Sequence, residues 1–545
     1  MSQRGHDLWA HSLADGREWA LTTDGEPDYR YGSGPDSTSN GTLLRKFGLP
    51  HLPPAVAWSP DSTKVLAHRT DERGVRQTHL VEARPADGGA PVLRTQRYAY
   101  PGDENMPQAE LVVLDVSEGT VVSAQAEPLL MPQSSPITTK WAWWAPDGSA
   151  VYYLGQPRDL RTLILHRLDP ATGEVTTVLS ETGTTRVEPN QWIYEPPIVR
   201  VLADEVLWYS QRDGWGHLYR YDLRTGALLG QVSSGQWAVR QILHVDEAER
   251  VVYFTASGLV DEDPYRRTVC RVGLDGSGFA KVTDDALDHI VTMPDNQEYF
   301  IDSASTVDTP PVSRVRDWAG RVLVELERAD ITKLTATGWT APERFRVKAA
   351  DGETDMYGVL YRPRGFDPAQ RYPVVDSVYP VRRSTGSPRP STPAGWASTR
   401  NPSRRWASWW SRWMGEAPQG GASPSTTPPA ATWPTRAARP TMSRRCGSWP
   451  RPGRGWTWTG WARSAAPEAG SPQRGRCWIS PRCTKAGVAL SGPHDARYFN
   501  PGFVEAYVRK RCWDFLVREL MGTQPPAYRP APIAIGPELL GELFA

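Results

Sequence analysis

Arginine and tryptophan dominate the stretch from Arg382 to Trp478, and both side chains can take part in binding. Its 97 residues include 16 Arg and 11 Trp but only two Glu, and they contain no Lys, Asp, Leu, Ile, Val, Phe or Tyr. Guanidinium groups pair with phosphates and indole rings stack on bases, so one interpretation is a disordered nucleic-acid-binding arm. The other is that these codons are read out of frame, because GC-rich DNA in a wrong frame yields Arg, Pro, Ala, Gly, Ser and Trp.

Short strand pairs recur through the first 340 residues, each joined by a turn of the form Asp-x-x-(x)-Gly. The turn aspartates are Asp115, Asp169, Asp222 and Asp275, at intervals of 54, 53 and 53 residues, and an earlier copy carries Asp15. Short strands in units of about fifty residues are typical of β-propeller blades. A β-sandwich with fortuitous spacing is the alternative, but three nearly equal intervals favour the propeller.

A second recurrent element lies in phase with these turns. Pro-Asp turns directly follow, or lie one residue beyond, Trp58, Trp144 and Met293, and alternating apolar residues come after each turn. This pattern predicts a hairpin that enters a strand. The chain starts inside a predicted blade, so we expect the first blade to be incomplete.

The repeat stops near Ala341, and a different fold is predicted from there. Glu343 to Pro363 reads as two alternating strands around a turn, and Arg371 to Pro380 contains a buried-type strand. Close to the end of the chain, Val508 to Gly522 has apolar residues at helical spacing, which predicts an amphipathic helix.

The order of these elements resembles the prolyl oligopeptidase family of serine peptidases, in its dipeptidyl-peptidase IV-like branch. The resemblance rests on "SQRDGWGHLYRYDL" from Ser210, on "DG-x-x-D-x-x-G-x-L-Y-x-P" from Asp351 and on "YPVV-x-x-x-YP" from Tyr372. It covers residues 6–380 and again 485–545. Members of this family have an α/β-hydrolase domain capped by a propeller, and they cleave short peptides, often after proline. The resemblance therefore implies an all-β propeller followed by an α/β-hydrolase domain, which is incomplete in this chain.

The catalytic residues that the resemblance implies are missing. The family uses a Ser in a Gly-x-Ser-x-Gly turn, activated by a His that an Asp orients, and no such turn occurs in the sequence. Beyond His289 the only histidine is His494, in a segment that resembles the region after the nucleophile helix and is not the catalytic base. The paired glutamates that grip the amino terminus of a substrate are also missing, since the chain contains no Glu-Glu dipeptide.

The genetic code tests the out-of-frame interpretation. When the last base of each codon is joined to the first two bases of the next, Trp456 to Ala462 spell Asp-[Leu/Met/Val]-Asp-[Arg/Gly/Trp]-[Leu/Met/Val]-Gly. This text resembles the strand that leads into the family's nucleophile, and Ala465 to Ala469 permit Gly-x-Ser-Gly-Gly after it. Trp413 to Ala417 spell a phrase similar to the family's Val-Asp-Gly-Arg-Gly. We therefore favour a nucleophile region in the wrong frame, with Pro467 at the position aligned with the nucleophile.

A second defect is predicted between Tyr507 and Val508, where the family carries further strands together with the triad Asp and His. These elements are deleted in this interpretation. Asp495 and Asp514 are the remaining substitutes, and we interpret them as a solvated loop carboxylate and a helix-surface charge. No catalytic residue is therefore assigned.

The overall composition bounds the class of protein. The 62 basic and 61 acidic residues nearly cancel, which argues against a dedicated nucleic-acid or membrane-surface protein. Five Cys without a Cys-x-x-Cys pair favour neither a zinc site nor a disulfide framework. There is no N-terminal apolar h-region and no run of 18 apolar residues. We expect a cytoplasmic protein with no cofactor, no metal, no nucleic-acid partner and no membrane partner.

The predicted domains are a propeller over 1–340, the start of a hydrolase domain over 341–381, a disordered out-of-frame segment over 382–484 and a hydrolase remnant over 485–545. The resemblance implies a serine peptidase by descent, which would release dipeptides or cleave short peptides, and which is catalytically inactive as the chain stands. The alternative is a peptide- or protein-binding propeller without catalysis. In both cases a peptide is the expected ligand.

Overall fold

The structure is a computed structural model of the 545-residue chain. It describes residues 1–36, 53–83, 85, 88–131, 134–189, 196–294, 296–348, 353, 355–370, 372, 374–378 and 409–413. The regular structure of these residues is almost entirely β-strand, arranged in successive sheets.

Two sheets and a hairpin are formed by residues 2–130. The first sheet is a three-stranded meander of β1 (Ser2–Arg4), β2 (Asp7–His11) and β3 (Glu18–Ala20). The second begins with β4 (Tyr29–Tyr31), β5 (Ala57–Trp58) and β6 (Lys64–Asp71). A separate hairpin of β7 (Gln77–Glu82) and β8 (Val92–Arg97) follows. The second sheet is then completed by β9 (Gln108–Asp115), β10 (Val121–Ser123) and β11 (Leu129–Leu130).

Four sheets of four strands come next, and in each of them strands that are neighbours in sequence are neighbours in the sheet. Their strands are β12 (Ala142–Trp144), β13 (Val151–Gly155), β14 (Thr162–Leu168) and β15 (Val175–Thr182); β16 (Val199–Val201), β17 (Glu205–Ser210), β18 (His217–Asp222) and β19 (Leu228–Gln231); β20 (Ala238–Asp246), β21 (Val251–Ser257), β22 (Arg267–Gly273) and β23 (Ala280–Lys281); and β24 (Asp288–Thr292), β25 (Phe300–Ser305), β26 (Val312–Arg316) and β27 (Val322–Arg328). The hairpins predicted after Trp58, Trp144 and Met293 are confirmed, since each joins two antiparallel strands that are neighbours in their sheet.

Apolar cores lie between consecutive sheets. Because successive side chains of a strand point to opposite faces, the neighbouring residues Leu207 and Trp208 of β17 enter two different cores. Trp208 packs with Leu165 of the preceding sheet, and Leu207 packs with Phe254 of the following sheet. Phe254, Trp208 and Leu207 are all fully buried. Sheets stacked in sequence order in this way agree with a propeller-like domain and differ from the two sheets of a sandwich.

The predicted Asp turns join the third and fourth strands of these sheets. The carboxylate of Asp169 accepts hydrogen bonds from the backbone N–H groups of Ala171 and Thr172, at 2.8 and 3.1 Å. Asp115, Asp222 and Asp275 form the same kind of turn. Asp317 forms a further one, which the sequence did not predict because it follows Asp275 by 42 residues and falls outside the regular interval.

The glycine in three of these turns lies against the preceding sheet. Gly173, Gly226 and Gly320 have φ angles of 79°, 67° and 85°, in the region that favours glycine. A Cβ atom at any of them would overlap a backbone carbonyl oxygen of the sheet before. The carbonyl groups are, in order, those of Ser123, Val178 and Val282. Only a residue without a side chain permits both the turn and this approach.

A different sheet begins after β27. The short helix α1 (Thr332–Thr335) leads to an antiparallel hairpin of β28 (Glu343–Lys348) and β29 (Asp355–Tyr361). This hairpin and β30 (Val374–Val378) confirm the strands that the sequence predicts there.

One strand comes from the Arg- and Trp-rich stretch. β31 (Trp409–Trp413) lies between β29 and β30, antiparallel to β29 and parallel to β30. The sequence predicts disorder over 382–484, whereas these five residues form a strand of a mixed sheet. That prediction rested on side-chain composition, whereas a ladder is made by backbone groups that every residue except proline carries. The rest of 382–484, and all of 485–545 with its predicted helix, lies outside the described residues.

The contact of the turn glycine with the preceding sheet generates a test. Gly226→Ala is expected to lower the free energy of unfolding by about 3 kcal/mol, because the left-handed conformation costs alanine about 1–2 kcal/mol and overlap with the Val178 carbonyl adds a similar amount. Gly119→Ala is the matched control, since Gly119 has a φ of 69° in the Asp115 turn and nothing within 4 Å of its Cβ position. Urea unfolding followed by tryptophan fluorescence measures both. Equal losses in the two variants would contradict the role of the contact.

Candidate functional site

The residues that the sequence analysis relates to the catalytic centre lie outside the described part of the chain. These are Pro467, His494, Asp495, Asp514 and the junction between Tyr507 and Val508. The site is therefore built from the ionisable groups that the structure describes, to none of which the sequence analysis gave a catalytic role.

Buried polar residues follow one another along β6 and directly after it. His68, Thr70 and Glu72 alternate in sequence, so they share one face of the extended chain, and all three are 0% exposed. Burying polar groups is costly unless they are hydrogen-bonded. Each of the three has such partners, which makes this end of the second sheet a polar cluster inside an otherwise apolar fold.

Glu72 is the centre of this cluster. Its Oε2 atom accepts a hydrogen bond of 2.7 Å from Nη2 of Arg30, and the backbone N–H of Asp36 lies 3.0 and 3.1 Å from its two oxygens. The Thr70 hydroxyl donates to the carbonyl oxygen of Ser33 at 2.6 Å. The segment that follows β4 is thereby fastened to the end of β6.

The surroundings of Glu72 set its protonation. Burial raises the pKa of its carboxyl group to about 7, and the carboxylates of Asp36 and Asp28 act in the same direction, while Arg30 and the Asp36 N–H oppose them. A carboxyl group whose pKa lies near neutrality exchanges its proton in the physiological range. Such displaced pKa values are typical of functional sites, and Glu72 is the candidate that they single out here.

His68, which lies four residues before Glu72 on the same face of the extended chain, is held in its neutral form. Burial lowers the pKa of its imidazole to about 4, with a contribution from the positive charge of Arg30. Its Nε2 atom lies 2.8 Å from the Ser135 hydroxyl, and its Nδ1 atom lies 3.2 Å from that of Thr70. A neutral imidazole between two hydroxyl groups connects β6 to the segment before β12 without adding charge to the cluster.

The cluster extends to the surface through ion pairs and stacked rings. Arg97 of β8 donates to Oδ2 of Asp28 at 2.8 and 2.9 Å. The guanidinium groups of Arg69 and Arg73 lie 3.5 and 3.8 Å from the ring centroid of Tyr29, in the geometry of cation–π contacts. Positive and negative groups are thus interleaved over β4, β6 and β8.

His289 belongs to a separate network in the last four-stranded sheet. Its Nδ1 atom lies 2.8 Å from Oδ1 of Asp302, and its Nε2 atom lies 3.0 Å from Oδ1 of Asp285. Nε of Arg316 donates to the other oxygen of Asp302 at 2.8 Å. His289 and Asp302 are completely buried. Both ring nitrogens are occupied by carboxylates, so this histidine is not arranged as the base of a Ser–His–Asp triad, which requires a serine on one nitrogen.

The two carboxylates keep His289 charged. Hydrogen bonds and attraction from Asp285 and Asp302 outweigh burial and raise the pKa of the imidazole to about 9. In return, His289 lowers the pKa of Asp285 to about 2. A cation held between two anions is a cross-link between β24, β25 and β26, and at neutral pH it is already protonated and cannot act as a base.

Sequence reasoning missed Glu72, although a signal for it exists. His68, Thr70 and Glu72 continue the alternation of a strand whose other buried members are apolar, and polar residues at inward positions mark a polar interior site. In the described ranges, no group of three or more His, Cys, Asp or Glu side chains is arranged to hold a metal ion. No helix among the described residues is long and apolar enough to cross a membrane.

The four-stranded sheets are stacked in sequence order, and a separate sheet with both parallel and antiparallel strands follows them. This order defines the class of protein as one with a propeller-like N-terminal domain. Residues 3–311 match the family described as the dipeptidyl peptidase IV (DPP IV) N-terminal region. The match spans more than half of the chain, and the protein belongs to this family.

Curated relatives carry related names. The chain is 24% identical over 396 residues to a probable dipeptidyl-aminopeptidase B of Emericella nidulans, which covers 69% of this chain and 42% of that protein. It is 24% identical over 398 residues to a probable dipeptidyl peptidase 4 of the same fungus, covering 69% of this chain and 48% of that one. The matched region therefore spans less than half the length of these relatives.

Solved structures share the fold. Porphyromonas gingivalis dipeptidyl peptidase 4 superposes with a TM-score of 0.69 at 18% identity, covering 93% of this chain and 68% of that one. A putative dipeptidyl aminopeptidase IV from Bacteroides ovatus gives a TM-score of 0.69 at 20% identity, covering 93% and 72%. At these identities the likeness shows the fold.

The charge on His289 generates a prediction on stability. Its pKa is about 9 in the folded protein against 6.5 for the free group, so its contribution is complete below pH 6.5 and is lost as the pH rises through 9. The wild type is expected to lose on the order of 3 kcal/mol of unfolding free energy across this window. Urea unfolding between pH 6 and 9.5 measures the slope.

His289→Gln is the comparison for this measurement. All other groups that titrate in the window are shared with the wild type, so the variant is expected to show a smaller decline from a lower starting stability. The same decline in both proteins would contradict the assignment of a charged, buried His289.

Proposed function

We propose that this protein is a serine-type peptidase of the dipeptidyl-peptidase class by descent, and that the chain as it stands is catalytically inactive. The observation that carries the proposal is the succession of a DPP IV N-terminal region over residues 3–311 and a stretch over 382–478 that contains no nucleophile turn. The ancestral reaction is the release of dipeptides, or cleavage of short peptides, often after proline. With no serine elbow there is neither a nucleophile nor the oxyanion hole that the elbow helps to form.

The position of β31 supports the out-of-frame interpretation. In the frame that joins the last base of one codon to the first two of the next, Trp406 to Ala417 spell Gly-x-[Leu/Met/Val]-Val-[Val/Glu]-x-[Leu/Met/Val]-Asp-Gly-[Arg/Gly]-[Ser/Gly]. In this second frame, the aliphatic residues that a parallel strand needs are encoded at the positions of Trp409–Trp413, where the backbone forms β31 beside β30. The in-frame residues at these positions are Trp, Trp, Ser, Arg and Trp.

The alternative is a peptide- or protein-binding propeller that works without catalysis. The largest fully buried side chains of the described residues all lie between Leu8 and Phe300. The cores that hold the stacked sheets together are therefore made within the N-terminal region, and they do not depend on the catalytic segment. A domain with its own core can persist as a binding module when the enzyme attached to it is lost.

An activity-based probe tests the inactive state. A fluorophosphonate reacts only with a serine that an adjacent base activates, so we expect no covalent labelling of the full chain by mass spectrometry. Trypsin in the same solution serves as the positive control for the reagent. Stoichiometric labelling of one serine, or hydrolysis of a chromogenic proline-containing dipeptide, would contradict the proposal.

A further inference from the structure

An arginine that pairs with no carboxylate of the described residues lies on the first strand of one of the stacked sheets. Arg200 is the central residue of β16, which pairs with β17 on one side, and it is solvent-exposed although its neighbour Val199 is buried. Arg200 takes part in none of the ion pairs among the described residues. Two other arginines of this sheet, Arg212 and Arg220, are paired with glutamates.

The guanidinium group is held in place by backbone oxygens. Nη1 of Arg200 donates to the carbonyl oxygen of Val199 at 3.0 Å, and Nη2 donates to that of Ile242 at 3.4 Å. Ile242 lies on β20, the first strand of the next sheet, so Arg200 bridges two consecutive first strands. A guanidinium group has five N–H donors, and carbonyl oxygens orient it without neutralising its charge.

Arg200 is exposed to solvent, and desolvation by the surrounding protein lowers the pKa of its guanidinium group, with no charged group among the described residues acting against it. A guanidinium group that is partly desolvated attracts an anion more strongly than a fully hydrated one, because the effective dielectric constant around it is lower.

The strand across from Arg200 is irregular. The pairing of β20 with β21 shifts register between Val239 and Gln241, and again between Ile242 and His244. Bulges of this kind change the direction of side chains and occur preferentially beside functional sites. The second shift directly follows the residue whose carbonyl group orients Arg200.

We infer that Arg200 is the anchoring residue of a site for the carboxylate group of a peptide, between the first strands β16 and β20. The fork of a guanidinium group matches the two oxygens of a carboxylate. A peptide is the favoured carrier because an edge strand also offers backbone groups to an extended chain. The choice of a peptide rests on the peptide-binding alternative above, whereas the carboxylate site rests on Arg200 itself.

Binding of two peptides that differ in one group tests the inference. Pentaglycine labelled with fluorescein at its amino end is titrated with the full chain, once with a free C-terminal carboxylate and once as the C-terminal amide. The wild type is expected to bind the free acid at least about tenfold more tightly, which is the effect of a hydrogen-bonded charge. Fluorescence anisotropy at low ionic strength is the readout, and acetate is the competitor that separates a general carboxylate site from a peptide site.

Three variants locate the effect. Arg200→Gln is expected to remove the preference for the acid, and Arg200→Lys to retain part of it, because lysine keeps the charge and loses the fork. Arg224→Gln, in an exposed turn of the same sheet, is expected to behave as the wild type. Thermal unfolding of each variant separates a binding effect from a folding effect.

Each outcome bears on a different claim. Equal binding of acid and amide by the wild type, or an unchanged preference in Arg200→Gln, would overturn the carboxylate site and leave the peptide-binding alternative standing. No binding of either peptide at millimolar concentration would overturn both. Full displacement of the acid by acetate at equal concentration would show that the site takes a carboxylate and makes no use of the peptide.

Discussion

The close approach of a backbone turn to the preceding sheet is the constraint on which the stacked sheets depend. At Gly173, Gly226 and Gly320 the chain adopts a left-handed conformation and also lies against a carbonyl group of the sheet before. Any side chain would separate the two sheets there and open the core that Leu165 shares with Trp208. The Asp-x-x-Gly repeat therefore meets two requirements. Its aspartate closes the turn, and its glycine permits the contact with the preceding sheet.

The buried ionisable groups Glu72 and His289 both have partners of opposite charge. Glu72 is satisfied by Arg30 and by a backbone N–H, and His289 is satisfied by two carboxylates. These networks join strands that lie far apart in sequence, as a buried charge must be paired to be tolerated. Arg200 differs from both, since its charge meets only carbonyl oxygens among the described residues. That difference separates a group that holds the fold together from one that is available to a ligand.

Local pattern predicted much of the fold, because strands and turns are specified by nearby residues. The turn aspartates Asp115, Asp169, Asp222 and Asp275 were all found from the sequence, whereas Asp317 was missed because a shorter loop brings it early. Glu72 and Arg200 were not found, since their roles depend on partners 42 residues away in each case. The strand Trp409–Trp413 was missed for another reason, because its composition contradicts its backbone pairing.

We propose that the catalytic residues of a DPP IV-like peptidase are encoded in a second reading frame of this gene, behind an N-terminal region that folds normally. The nucleotide sequence of codons 381–510 is the measurement to make, because the protein sequence leaves most third bases open. We expect a second frame without a stop codon from Trp406 to Ala469, in which the codons of Ser464 to Ala469 spell Gly-x-Ser-Gly-Gly. A stop codon in that frame, or third bases that spell another sequence there, would contradict it.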